Sequence, residues 1–186
     1  MKLIGFVGMP GSGKGEASDV ARSMGLGVVV MGDIIRREAA RLGLELTDEN
    51  LGKVGNMLRS REGPEAVARR TLEIAKSSGK DLVVIDGIRS KAEVDFFRAY
   101  AEDFLLVEIW TPNDERLNRV IARGRSDDVN GGSVSLQKRE SREIGWGMNE
   151  AISQSDIRLE NVGDLKIFRI SVQRLLEDIL ADKSNK

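Results

Sequence analysis

The sequence predicts an α/β fold in which parallel strands alternate with helices, and three observations carry that reading. Short apolar runs stopped by glycine or turn residues recur along the chain. Stretches with helical spacing lie between them. A glycine-rich segment, Gly8-Met9-Pro10-Gly11-Ser12-Gly13-Lys14, joins the first apolar run to the first helical stretch. Parallel strands covered by helices on both faces read as continuous apolar runs, so this pattern selects a sheet built from strand-helix-strand units.

Taken in order, Lys2 to Val7 is the first strand, and a helix should follow from about Gly13 to Met24. Further strands are expected at Val28 to Met31, Leu82 to Ile85, Phe104 to Trp110 and Ile157 to Leu159. The interval from Asp33 to Lys80 is too long for one crossover helix and is broken at Gly43, Gly63 and Pro64, which predicts a small helical insertion over 33–80. Residues 124–135, with Asn130 beside Gly131 and Gly132, predict a mobile loop. A final amphipathic helix is expected from Leu165 to Leu180.

Composition bounds the chemistry. The chain has 186 residues, 40% hydrophobic and 32% charged, an ordinary balance for one globular domain spanning 1–186 with a single core. It has no Cys and no His, which excludes disulfides, thiol nucleophiles, cysteine or histidine metal sites and any Ser-His-Asp triad. Twenty-nine basic residues against 30 acidic ones give a net charge of −1, which argues against a nucleic-acid backbone as main partner. The N-terminal run is too short for a signal peptide and no apolar run approaches the ~20 residues of a membrane span, so a cytoplasmic protein with no membrane partner is expected.

Gly8 to Lys14 satisfies the pattern G-x-x-x-x-G-K in strand-loop-helix context. Glycines let consecutive backbone N–H groups turn onto phosphate oxygens, the helix N-terminus adds its dipole, and Lys14 brings a full positive charge to the transferring end. The bland alternative is a glycine-rich turn. Gly15 stands where Ser or Thr normally holds Mg²⁺.

Pro10-Gly11-Ser12-Gly13-Lys14-Gly15 resembles the phosphate loop of adenylate kinases, with Glu16 where a Thr usually follows. Met31-Gly32-Asp33-Ile34-Ile35-Arg36 resembles the family's Thr-Gly-Asp segment and the Arg one turn later. The resemblance implies that Gly32, Asp33 and Arg36 serve the acceptor, with Asp33 placed to cap the helix and Arg36 to grip a phosphate. A plain surface role beside Arg37 is the alternative for Arg36, and Met31 replaces the Thr of the family's adenine pocket. Asp86-Gly87-Ile88-Arg89 is similar to the family's Asp-Gly-Phe-Pro-Arg. It implies that Asp86 holds a metal through water, and that Gly87 and Arg89 approach the acceptor. The competing role for Asp86, capping the next helix, could fall to Ser90 instead.

Arg119-Val120-Ile121-Ala122-Arg123 and Arg125-Ser126-Asp127-Asp128 resemble the motifs flanking the adenylate-kinase lid. Helical spacing puts Arg116, Arg119 and Arg123 on one face, as an adenine-stacking, charge-neutralising stripe or as a solvated one. Because the two motifs touch, the lid is expected within 124–135, with Lys138, Arg139 or Arg142 returning charge from the next helix. Thr111-Pro112 and the segment from Ser155 to Gly163, with its Asn161-Val162-Gly163 turn, look more like dephospho-coenzyme A kinase. Over nearly the whole chain the matches resemble the adenylate-kinase-related P-loop proteins of archaea.

That resemblance implies a three-layer P-loop NTPase fold with five parallel strands in the order 2-3-1-4-5 and a helical acceptor-binding insertion. It further implies ATP with Mg²⁺, an ATP site at Gly8 to Glu16 and Arg119, and catalytic charge from Lys14, Arg36, Arg123 and Arg125. The γ-phosphoryl group would pass to a small phosphorylated acceptor, AMP first among nucleoside monophosphates. Two alternatives stay open: a kinase of dephospho-coenzyme A or another metabolite, and an ATP-driven switch or assembly factor.

Overall fold

The computed structural model describes residues 1–123 and 132–181, with side chains for 1–122 and 136–181. Five strands, β1 (Lys2–Val7), β2 (Gly27–Val30), β3 (Leu82–Ile88), β4 (Asp103–Trp110) and β5 (Ile157–Glu160), form one sheet in the order β2-β3-β1-β4-β5. Every pairing is parallel. The order and direction agree with the expectation from sequence.

Helices cover both faces, which is why the strands read as apolar runs. On one face α1 (Lys14–Ser23) and α9 (Leu165–Ala181) close over Ile4, Phe6, Val84, Val107 and Ile109. On the other, α2 (Met31–Arg41), α3 (Asp48–Glu62), α4 (Ala66–Ser77), α5 (Lys91–Tyr100) and α8 (Met148–Ile152) bury Leu3, Val7, Val29, Val83, Ile85 and Leu106. Helices α6 (Asn113–Arg123) and α7 (Gly132–Gly145) follow β4.

Residues 33–80, read as a helical insertion, hold most of α2 and all of α3 and α4. The breaks at Gly43 and Gly63 fall just after α2 and α3. Val54, Leu58, Val67 and Leu72 all join the central core, so the insertion shares the sheet's packing. Of the expected lid loop, residues 124–131 lie outside the described residues, and 132–135 form the first turn of α7.

Two boundaries move in ways that matter for the site. Helix α2 starts at Met31, two residues before Asp33, with Val30 as its N-cap and no side-chain cap. Asp33 therefore does not cap the helix but sits in its first turn, where a carboxylate meets the positive end of the dipole. Met31 is 1% exposed and belongs to the core. Strand β3 continues past Ile85 to Ile88, with Asp86 paired to both Phe6 and Val30. The register slips between Phe6 and Val7, where Gly87 takes φ +94. Only glycine adopts that conformation cheaply, and the resulting bulge re-aims the end of the strand.

Candidate active site

The loop from Gly8 to Gly13 leaves the end of β1 and turns into α1. Gly13 is the helix N-cap with φ +101, and a Cβ there would lie 2.1 Å from Asn161 Nδ2. Both facts require glycine. The loop is held from behind: the Ser12 carbonyl accepts from Thr111 Oγ1 at 2.9 Å and from Asn161 Nδ2 at 2.8 Å. The Pro10 carbonyl accepts from Arg116 Nη1 at 3.0 Å. Thr111 and Asn161, singled out in the sequence for a different resemblance, thus meet at the back of this loop.

Lys14 arches over the loop and donates to the Gly8 carbonyl at 2.5 Å and the Met9 carbonyl at 3.1 Å. Burial pushes its pKa down to about 8, against the pull of Glu143 and Asp86; Arg89 and Arg139 push the same way as burial. A lysine so desolvated has lost hydration that an incoming anion would replace. Ser12 Oγ is buried with no hydrogen-bond partner. Gly15 points its missing side chain into open space. Glu16 turns away from the loop to Arg169 of α9, 2.7 Å distant.

Asp86, 8% exposed, lies beside the loop at the carboxyl edge of β3, close enough to influence Lys14. Ser90, not Asp86, caps α5, accepting from Glu93 N at 3.2 Å. Among the described residues no group of three or more metal-ligating side chains occurs. One hard carboxylate with no hydroxyl at position 15 fits Mg²⁺ carried largely by phosphate oxygens and water.

Beyond Lys14 opens a cleft between α2, α3 and α7, lined by Arg36, Arg89, Arg139 and Arg142 together with Asp48, Glu143 and Trp146. Each arginine is held by a carboxylate. Arg36 donates to Asp33 at 2.5 Å. Arg142 makes a two-pronged pair with Asp48 at 2.9 and 2.6 Å. Arg89 and Arg139 share Glu143 at 3.3 and 3.2 Å. The backbone N–H of Arg89 donates to buried Glu93, whose other oxygen accepts from Arg59 at 2.6 Å. Arg59 stacks on Trp146, 4.3 Å from the ring centroid. Gly32 also lines this cleft; Lys138 is exposed.

Sequence reasoning missed Asp48, Glu143, Trp146 and the glycines of α3. A Cβ on Gly52 would stand 2.9 Å from Arg142 Nη1, and one on Gly55 would stand 3.4 Å from the Trp146 ring. Two glycines three residues apart inside a helical pattern were the available signal for a close approach.

The arginine stripe divides. Arg116 is 7% exposed and bonds Pro10, Asn113 and Glu140, so it braces the loop and is neither a solvated nor a stacking residue. Arg119 donates to Thr111 Oγ1 at 3.2 Å and to the Asn161 carbonyl at 3.1 Å, next to the loop's support. The Arg123 side chain, Arg125, Asp127 and Asp128 lie outside the described residues.

The AAA domain family matches residues 7–132. The chain is 55% identical to a UPF0200 protein of Methanothrix thermoacetophila, covering 96% of this chain and 98% of that one. It is 46% identical to a UPF0200 protein of Methanosarcina acetivorans over the full length of both. Among solved structures, TT1252 of Thermus thermophilus aligns with a TM-score of 0.63 at 20% identity, covering 97% of this chain and 96% of that chain. Shikimate kinase of Acinetobacter baumannii, in complex with shikimate, aligns with a TM-score of 0.56 at 18% identity over 97% and 94%. These structural matches describe the fold.

Proposed function

Because this chain belongs to the UPF0200 family and carries a P-loop kinase-like fold, we propose that it is a phosphotransferase. It moves the γ-phosphoryl group of Mg-ATP to a small phosphorylated acceptor. The observation that carries this reading is the meeting of the glycine-rich loop with an arginine-lined cleft. The residues that set the proton affinity of Lys14 include Arg89, Arg139 and Glu143 of the neighbouring cleft. A phosphate loop alone suits hydrolysis, whereas a second cationic cleft at its transferring end gives a second phosphate a place to stand.

In the reaction an acceptor oxygen forms a bond to the γ-phosphorus while the bond to the bridging oxygen breaks and ADP leaves. The transition state is loose, with charge on peripheral oxygens, so positioning and positive charge supply most of the acceleration. Lys14 and the loop N–H groups hold the donor, and Arg36 and Arg89 face the acceptor. Arg119 lies on the donor side, and Arg123 and Arg125 supply further charge. Asp86 would hold Mg²⁺ through water, and the ion would supply charge that offsets that of the phosphates. Crowding the cleft with acceptor keeps water from the same phosphorus.

The test offers γ-labelled ATP with AMP, CMP, UMP, dTMP or dephospho-coenzyme A and identifies the labelled product. A labelled, doubly phosphorylated product supports the reading. Lys14→Ala should lower turnover by about 2 to 4 kcal/mol of transition-state stabilisation with folding intact. Arg36→Ala should raise the acceptor KM while sparing ATP affinity, and Arg123→Ala should lower chiefly kcat. Equal losses of ATP affinity in both variants would contradict these assignments. If none of these acceptors is labelled and a macromolecular partner accelerates plain hydrolysis, the chain is an ATP-driven switch.

A further inference from the structure

Two of the four arginines in the cleft answer to one buried carboxylate. Glu143 is 2% exposed, and it meets Arg89 at 3.3 Å and Arg139 at 3.2 Å. It stays ionised: burial works to raise its carboxyl, but Arg89, Arg139 and Lys14 together outweigh burial and hold it below the ordinary value. A carboxylate taken out of water needs partners that compensate its charge, and Arg89 and Arg139 supply that compensation. Asp48 answers Arg142 from the opposite wall. Among the described residues the lining sets four arginines against Glu143 and Asp48, and Asp33 answers Arg36 from beside it.

An acceptor phosphate monoester is a dianion near neutral pH, and it places both charges on one group among these arginines. A more highly charged anion brings further negative charge up to arginines already paired with carboxylates and faces Glu143 in a poorly hydrated space, where like charges repel strongly. We propose that Glu143 is a specificity-determining residue: by answering Arg89 and Arg139 it limits the cleft to a single phosphate-monoester dianion and turns away pyrophosphate-like or bisphosphorylated anions. The inference rests on reading this cleft as the acceptor site, and it adds the charge class of the acceptor. Glu143 also carries a positioning role, because one carboxylate shared by two guanidinium groups fixes their spacing.

The experiment needs no turnover. Trp146 lines the cleft, and the chain's other tryptophan, Trp110, lies on β4, so a Trp110→Phe protein reports on the cleft alone. Its emission is titrated with inorganic phosphate and with pyrophosphate, while Mg²⁺ and a non-hydrolysable ATP analogue fill the phosphate loop. The parent should bind phosphate at least as well as pyrophosphate. Glu143→Gln, which removes the charge and keeps the size, should shift the ratio toward pyrophosphate by roughly tenfold. Glu143→Asp, which keeps the charge, should hold the parent ratio. If Glu143→Gln fails to fold, Asp48→Asn removes the cleft's other negative charge and must give the same shift. A ratio unchanged on removal of the carboxylate overturns the proposal, as does a parent that prefers pyrophosphate or shows no response to phosphate. Failure of the phosphotransferase reading registers separately, as absence of label transfer from ATP.

Discussion

Lys14 illustrates how burial tunes a single residue. Its pKa falls from 10.5 to about 8 on folding, chiefly through burial, so the protonated form opposes folding below pH 8. That penalty fades as pH rises from 8 through 10.5. Bound triphosphate supplies the missing negative charge and must raise the pKa again. At pH 8.5 nucleotide binding should therefore take up protons, visible as a binding enthalpy that changes with the ionisation enthalpy of the buffer. Lys14→Arg, charged at every working pH, should abolish that dependence. An identical buffer dependence in both proteins would mean that Lys14 is not the group being neutralised. The role proposed for Lys14 as a phosphate-loop lysine rests on seven consecutive residues, because the motif is local. Its depressed pKa was not, since the causes sit on β3 and α7.

At the scale of elements, helix α3 shows what a local reading leaves out. The sequence reads as helical over 33–80 as a whole, and α3 opens within it where Thr47 accepts from Asn50 N at 3.3 Å. Its function as a wall came from partners far along the chain: Asp48 meets Arg142 across 94 positions and Asn56 meets Trp146 across 90. Gly52 gives Arg142 room to reach Asp48. Gly52→Ala should gain up to about 1 kcal/mol of helix propensity, and the displaced atoms are the flexible end of Arg142, so stability should hold or rise. The pair with Asp48 should loosen and the acceptor KM increase. Thermal unfolding beside steady-state kinetics checks this, and a destabilised variant with normal KM would contradict it. Asn161 offers the complementary test behind the phosphate loop. Asn161→Ala removes the amide that donates to the Ser12 carbonyl and should weaken nucleotide binding by roughly 1 kcal/mol, measured by calorimetry, with the acceptor cleft unaffected. The Asn-Xaa-Gly turn was visible in sequence, but its contact with the loop depends on β5 lying next to β4.

For the molecule as a whole, strand order creates the site. Because β1 pairs with β3, the phosphate loop after β1 and the Asp86 to Arg89 edge of β3 emerge side by side, and the chain between them must cross over through α1, β2 and α2 to α4. That crossover supplies one wall of the cleft and α7 supplies the other. The alternation of apolar runs made the sheet legible, and the resemblance supplied its order. The sequence points to Lys138, Arg139 or Arg142 as charge returning from the helix after the lid, and Arg139 and Arg142 line the cleft; their pairing with Glu143 and Asp48 was not legible, since a basic helix has the same pattern whether it faces solvent or a partner. The central claim is that loop and cleft work as one phosphotransfer site, and the most direct measurement is the balance between ADP formed and acceptor phosphorylated. With the right phosphorylated acceptor, ATP turnover should rise strongly over the acceptor-free rate, and each ADP should be matched by one phosphorylated acceptor with little free phosphate. ADP matched by free phosphate, at a rate indifferent to every acceptor, would contradict the account.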